Sequence, residues 1–314
     1  MYLNERALEI CRHMVESVES LRIATTKTLA GTLLVDCGIE VPGGLEAGRQ
    51  LAMVCMSGLG RVEFVPARDG FGTQLAVQVT TDAPIAACLA SQYAGWEVKG
   101  HEFFAMGSGP MRAAANRERL FEQVGHNEMA RVAVGVLETG KLPPAPVLDE
   151  LAAACGVAPR DLIVLLAPTS SQAGNVQVVA RSIETAMHKL VELGFEIDRV
   201  ASGYGVAPLP PVAREDLSGI GRTNDAILYG AEVTLWVHGD DDLLAAIGPR
   251  IPSNASADHG RPFAEIFAGY GHDFYQVDPH LFSPAVVRLC NLDTGNQFVF
   301  GELKPEIIRR SFGV

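Results

Sequence analysis

Apolar residues recur every three or four positions over residues 4–22. There Leu8, Ile10, Cys11, Met14, Val15, Val18 and Leu21 follow Asn4 as a capping residue, which predicts an amphipathic helix. The Thr- and Leu-rich run Thr25–Cys37 predicts a strand, and Pro42–Met56, opened by Pro-Gly-Gly, a second helix. Strands follow at Val62–Pro66 and Gln74–Thr80 around an Arg-Asp-Gly-Phe-Gly turn, then an alanine-rich helix at Ile85–Tyr93. Residues 97–112 read as a loop ending in Gly-Ser-Gly-Pro. An apolar block at Met129–Leu137 leads to Pro143-Pro144-Ala145-Pro146, the stiffest spacer in the chain. Helix Val147–Cys155, strand Asp161–Ala167 and a long helix, Asn175–Leu193, come next. The remainder offers a turn-rich stretch at 202–211, a strand at Glu232–Val237, a Pro/Ser/Gly loop at 248–262 and strands at 285–292 and 297–300.

Strands succeed one another through tight turns, and helices do not alternate with them strictly. That pattern predicts an α+β fold with largely antiparallel sheets rather than a doubly wound parallel one. The proline spacer suggests domains at 1–142 and 143–314, with interleaved segments left open.

The chain has 314 residues, 48% of them hydrophobic, enough to build a packed core. Thirty-seven acidic against twenty-five basic residues give a net charge of −12, a surface that repels nucleic acid and anionic membranes. A small anionic ligand stays compatible with it. No apolar run approaches the ~20 residues of a membrane helix, and the first twenty residues carry Glu and Arg with no apolar signal core. These features point to a cytoplasmic protein without nucleic-acid or membrane partners. None of the six cysteines lies in a C-x-x-C, and Cys37, Cys55, Cys88 and Cys155 sit in apolar stretches, so they read as buried thiols.

Familiar catalytic signatures are absent. Gly-x-Gly recurs at 58, 70, 107, 203, 219 and 269, but never with the third glycine of a dinucleotide fingerprint. There is no phosphate-cradling G-x-x-x-x-G-K-[ST], no G-x-S-x-G and no H-E-x-x-H. Asp258-His259 and His272-Asp273 offer too few donors at this spacing, so no metal site is expected.

The segment 175–193 carries more information. Val176, Val179, Ala180, Ile183, Met187 and Leu190 form an apolar stripe, while Arg181, Glu184 and His188 share another face. One reading is a solvated face with an ion pair worth a few tenths of a kcal/mol. The other is a face lining a cleft, where a carboxylate beside a guanidinium activates a water molecule. Spacing alone favours the first.

Several separated segments alter that balance. They are Ala86–Trp96 (AACLASQYAGW), Met106–Ala113 (MGSGPMRA), Ala180–Thr185 (ARSIET), Ile220–Gly230 (IGRTNDAILYG), Pro252–Ser256 (PSNAS), Pro262–Phe267 (PFAEIF) and Asp273-Phe274-Tyr275. In this order, over essentially the whole chain, they resemble the methenyltetrahydromethanopterin cyclohydrolases. The resemblance implies two α+β domains with an interdomain pocket, a homo-oligomer (dimer or trimer), and a reduced pterin as the small-molecule partner. It also implies reversible hydrolysis of a methenyl carbon bridging two pterin nitrogens to the 5-formyl compound, with no metal or redox cofactor.

By the same resemblance the catalytic pair falls on Glu184, as base for water, and Arg181, which orients it and tunes its basicity. His188 reads as a packed or surface histidine ahead of a proton relay. Ser108, Gly109 and Arg112 lie in a turn whose N–H groups and guanidinium suit a ligand anion, or form an ordinary tight turn. Arg222, Asn224 and Asp225 offer donors and a carboxylate to a pterin's amide edge. Ser91, Gln92 and Tyr93 end the alanine-rich helix and serve as ligand contacts or as its cap. Three rival readings stay open: the same reaction on a tetrahydrofolate, a non-catalytic reduced-pterin-binding protein, and a nucleotide-binding module using the 107–110 turn without the usual lysine.

Overall fold

The computed structural model describes residues 2–314. Its strands begin with β1 (Ala24–Lys27), β2 (Leu33–Asp36), β3 (Gly60–Pro66), β4 (Leu75–Thr81), β5 (Trp96–Gly100) and β6 (Phe103–Ser108). After them come β7 (Ala133–Glu138), β8 (Leu162–Ala167), β9 (Val200–Pro208), β10 (Glu232–Val237), β11 (Val286–Asn291) and β12 (Gln297–Gly301). They form two mixed six-stranded sheets, ordered β1-β2-β8-β7-β6-β5 and β12-β11-β10-β9-β4-β3. Each sheet belongs to its own compact unit. The first unit takes the chain up to Gly60 and then Ala86–Gln177; the second takes Arg61–Ile85 and Val178–Val314.

In the first unit β8 (LIVLLA) is buried at every position, as expected of a strand covered on both faces. Its alternation sorts the core into two layers. Ile163 and Leu165 join Val35, Val134 and Val136 beneath helices Leu3–Glu16 and Leu45–Cys55. Leu162, Val164 and Leu166 join Leu34, Val98 and Leu137 against helix Ala145–Ala154. That helix, directly after the proline spacer, therefore belongs to the first unit's core. For this reason the expected 142/143 cut matches neither unit: Pro143–Pro146 joins two parts of one core.

Strand β2 pairs parallel with β8, and β8 parallel with β7, while β1–β2, β7–β6 and β6–β5 are antiparallel. In the second unit β4–β9, β9–β10 and β11–β12 are antiparallel and β10–β11 parallel. The α+β assignment and the largely antiparallel pairing agree with the sequence reading.

Five expected elements take another form. The helix expected over 4–22 is two, Leu3–Glu16 and Val18–Leu21, and Asn4, expected as its cap, is buried inside the first, donating Nδ2 to Pro110 O at 2.9 Å. Thr25–Cys37 is a hairpin, β1–β2, closed where the Thr28 hydroxyl accepts from Thr32 N at 3.1 Å. Residues 97–112 are no loop but the β5–β6 hairpin and a short helix, Met111–Ala115. Its two turn residues, His101 (φ 53°) and Glu102 (φ 60°), are both left-handed, as a two-residue type I′ turn demands. The stretch 202–211 is largely strand β9. The helix expected over 175–193 is two helices, Gln172–Val179 and Ser182–Glu192, separated where Arg181 N turns back to Val178 O at 3.1 Å.

The helix expected at Ile85–Tyr93 is a π-helix, Ile85–Gln92, and the following Tyr93 N still bonds Cys88 O five residues back at 2.8 Å. Cys11, Cys37, Cys55, Cys88 and Cys155 are free and buried; Cys290 is half-buried. Among the described residues, no helix is long and apolar enough to cross a membrane.

Candidate functional site

Glu184 stands in the first turn of helix Ser182–Glu192, with Arg181 as its N-terminal flanking residue at φ −89°, ψ 10°. The helix lies on β9 and β10 and restarts immediately after the interruption, so the pair opens a helix instead of riding along the middle of one. Arg181 is 6% exposed and Glu184 4%. Those values exclude the solvated-face reading that the spacing had favoured. A carboxylate in a first helical turn lies near the positive end of the helix dipole. One turn further on, His188 Nε2 lies 3.7 Å from Glu192 Oε1, on a side chain that is mostly buried.

Ser91, Tyr93, Ser108, Gly109 and Arg112 are brought together in the first unit. Gly109 (φ +87°) donates its N–H to Ser91 O at 2.9 Å. The Arg112 guanidinium, fully buried, donates through Nη1 to Leu89 O (3.0 Å) and Ser91 O (3.2 Å). Its Nε and Nη2 grip Glu118 at 2.7 and 2.6 Å, and its Cζ lies over the Tyr93 and Phe121 rings, 5.0 and 5.4 Å from their centroids. Donors arranged this way hold the π-helix end to the β6 turn. The ligand-anion reading of Arg112 and Gly109 gives way to the structural one, because their donors already have protein acceptors. Ser91 Oγ is likewise engaged, 2.7 Å from Ser57 Oγ, and Gln92 is fully buried at the helix end.

Arg222, Asn224 and Asp225 lie on helix Asp216–Gly230 in the second unit, an element the hydrophobic pattern did not reveal. Arg222 donates to Ser311 O (3.3 Å) and Pro211 O (3.1 Å), and Asn224 Nδ2 to Ile220 O (2.9 Å). Asp225, completely buried, accepts from Phe263 N at 2.8 Å and so receives the start of helix Phe263–Gly269. These contacts tie the three residues into the fold, while Arg222 Nη1 and Asn224 Nδ2 each keep a second N–H beyond the bonds named. Burial pushes the Asp225 carboxyl up to about 7, against the lowering pull of Ser311 and Phe263.

A folded state that keeps a proton the unfolded chain releases near pH 4 loses stability as pH rises from there towards 7. Asp225→Asn keeps the acceptor for Phe263 N without that titration. The variant is therefore expected to gain stability on the wild type between pH 5 and pH 8, measured as the difference in urea midpoints.

Two polar features escaped the sequence reading. In the first unit Cys55 Sγ lies 3.5 Å from Ser108 Oγ and 3.7 Å from Gln177 Oε1, and Gln177 Nε2 donates to Glu138 Oε1 at 3.0 Å. This chain of side chains gathers at the ends of β6 and β7; the only signal for it was that an otherwise apolar strand, AVGVLE, stops on a carboxylate. In the second unit Lys189 is 1% exposed and donates Nζ to His280 O. Burial draws its ammonium down to about 8, and nothing in its helical spacing distinguished it from a surface lysine.

The two Asp–His pairs serve the fold. Asp258 accepts from Tyr270 OH at 2.9 Å while His259 packs on the Tyr229 ring; Asp273 accepts from Tyr275 N at 2.9 Å and His272 meets the Phe267 ring edge-on.

The family model described as Cyclohydrolase (MCH) matches residues 2–312. The methenyltetrahydromethanopterin cyclohydrolase of Xanthobacter autotrophicus is 48% identical over 300 residues, covering 96% of this chain and 89% of that protein. The protein of the same name from Rhodopirellula baltica is 48% identical over 292 residues, 91% of this chain and 88% of its own. That of Methanospirillum hungatei JF-1 is 40% identical over 314 residues, 99% and 98% of the two chains.

Proposed function

The chain belongs to the Cyclohydrolase (MCH) family, and from that premise we propose that it reversibly hydrolyses 5,10-methenyl-tetrahydromethanopterin to the 5-formyl compound. The burial of Arg181 and Glu184 at the head of helix Ser182–Glu192 carries the assignment of roles. Removing a charged pair from water is costly unless a task or a partner compensates it, and such pairs concentrate at reacting centres.

The methenyl carbon, shared by two nitrogens, bears the positive charge of an amidinium. Glu184 accepts one proton from water as the water oxygen bonds to that carbon, giving a neutral hydroxylated adduct. The adduct's hydroxyl proton passes to N10 as the carbon–N10 bond breaks, leaving a formyl group on N5. Glu184 then returns its proton to solvent, so one water is consumed and one proton released. Arg181, one turn before Glu184, orients the carboxylate and supports its ionised form. The steps need a base, an orienting group and a held substrate, and no electron transfer.

Purified protein is expected to accelerate the loss of methenyl absorbance on addition of 5,10-methenyl-tetrahydromethanopterin. Equal or faster turnover of methenyl-tetrahydrofolate would reassign the carrier. Tight binding with no absorbance change would make the protein a reduced-pterin binder and not an enzyme.

A further inference from the structure

The first turn of helix Ser182–Glu192 rests on β9 at two glycines. A Cβ at Gly203 would lie 2.8 Å from Ile183 Cγ2, and a Cβ at Gly205 would lie 2.4 Å from Ser182 Oγ and 3.1 Å from Ile183 Cγ1. Separations under 3 Å are overlaps, so the helix sits where no side chain can stand. Neither glycine has a left-handed φ, so the backbone at both positions would accept any residue. The approach of the helix is what requires glycine there.

Residues two apart on a strand share a face, so the two glycines form one trough. Gly205 is flanked across the sheet by Val79 and Val233, and Gly203 by Thr81 and Leu235. Those larger neighbours are buried and wall the trough on both sides. Ser182 is fully buried as well, and its Oγ has no hydrogen-bond partner among the described residues. Packing against Gly205, and not a polar bond, sets its depth. On a helix two residues turn through about 200°, so a helix seated through Ser182 presents Glu184 away from the sheet.

We propose that Gly205, assisted by Gly203, is a positioning residue for the reaction. Its missing side chain fixes the height at which the helix carrying Glu184 starts, and thereby the reach of the carboxylate to the attacked carbon. The inference rests on the assignment of Glu184 as the base. A misplacement of about 1 Å at a reacting group costs on the order of 100-fold in rate.

The test is a size series at position 205 in the full chain, with a relieving substitution at Ser182. Gly205→Val is expected to lower kcat about 100-fold while substrate KM changes little, and Gly205→Ala to fall between it and wild type. Ser182→Ala removes the oxygen that the new Cβ meets, so Ser182→Ala/Gly205→Ala is expected to recover most of the kcat lost by Gly205→Ala alone. A merely destabilised protein would instead lose melting temperature without this paired recovery of kcat. Wild-type turnover with unchanged kcat in Gly205→Val, or a double variant no faster than Gly205→Ala with its fold intact by circular dichroism, overturns the inference alone. Wild-type protein without turnover on the methenyl substrate overturns the functional reading, and this inference with it.

Discussion

Glu184→Gln is expected to lower kcat about 10²–10⁴-fold, the usual contribution of a positioned general base, with KM little changed. Glutamine keeps the length and planarity of the side chain, so it fits the same buried position at the head of helix Ser182–Glu192. What it lacks is the capacity to take a proton from water. The measurement is the decay of methenyl absorbance at saturating substrate, with circular dichroism and melting temperature reported beside it. Near-normal kcat in a folded Glu184→Gln protein would remove Glu184 from the chemistry. A loss confined to KM would make it a binding residue.

Arg112→Met is expected to produce the largest fall in stability, about 3–5 kcal/mol, because it breaks a buried pair and leaves Glu118 facing a volume with no cation. Methionine approximates the arginine stem but cannot donate to Leu89 O and Ser91 O or set a cation over the Tyr93 and Phe121 rings. For a unit of this size that loss corresponds to a fall in Tm on the order of 10 °C. Scanning calorimetry of the two proteins checks it. A change below about 1 kcal/mol would mean that Glu118 and the two carbonyls find water or other donors at little cost. Because the proposed chemistry assigns Arg112 no role, turnover per folded molecule should change far less than Tm.

The contrast between these two residues shows what periodicity can and cannot carry. Alternation and three-to-four spacing located helix Leu45–Cys55 and strands β3, β4, β8, β10, β11 and β12 close to their observed ends, and the start but not the end of helix Leu3–Glu16. The β5–β6 hairpin stayed hidden because its left-handed turn residues are His101 and Glu102, not the Asn-Gly or Asp-Gly that usually announce such a turn. Strand β9 was misread for the opposite reason: Gly203 and Gly205 look like turn punctuation but mark close approach of a helix. The interruption at 180–181 carries no proline or glycine, so an unbroken helical pattern concealed it.

Helix Asp216–Gly230 holds polar residues that bind protein atoms in place of water, which blurs its apolar stripe. At the candidate site, the sequence supplied residue identities and the resemblance supplied roles. Neither could distinguish a guanidinium consumed by its own fold, as Arg112 is, from one kept for a partner. That difference depends on which carbonyls and carboxylates the tertiary structure brings within 3 Å.

The way the two units share the chain also shapes how the protein must be born. Strand β4 hydrogen-bonds β9, so residues 61–85 leave the ribosome with their pairing partner still untranslated. At ordinary elongation rates that wait is on the order of ten seconds. Meanwhile the first unit can close only by reaching across this unpaired stretch to Ala86–Gln177. The nascent polypeptide thus carries residues 61–85 looped out of the first unit through much of its synthesis, and no single break in the chain can release the second unit whole, since its two segments lie on either side of the first unit's Ala86–Gln177.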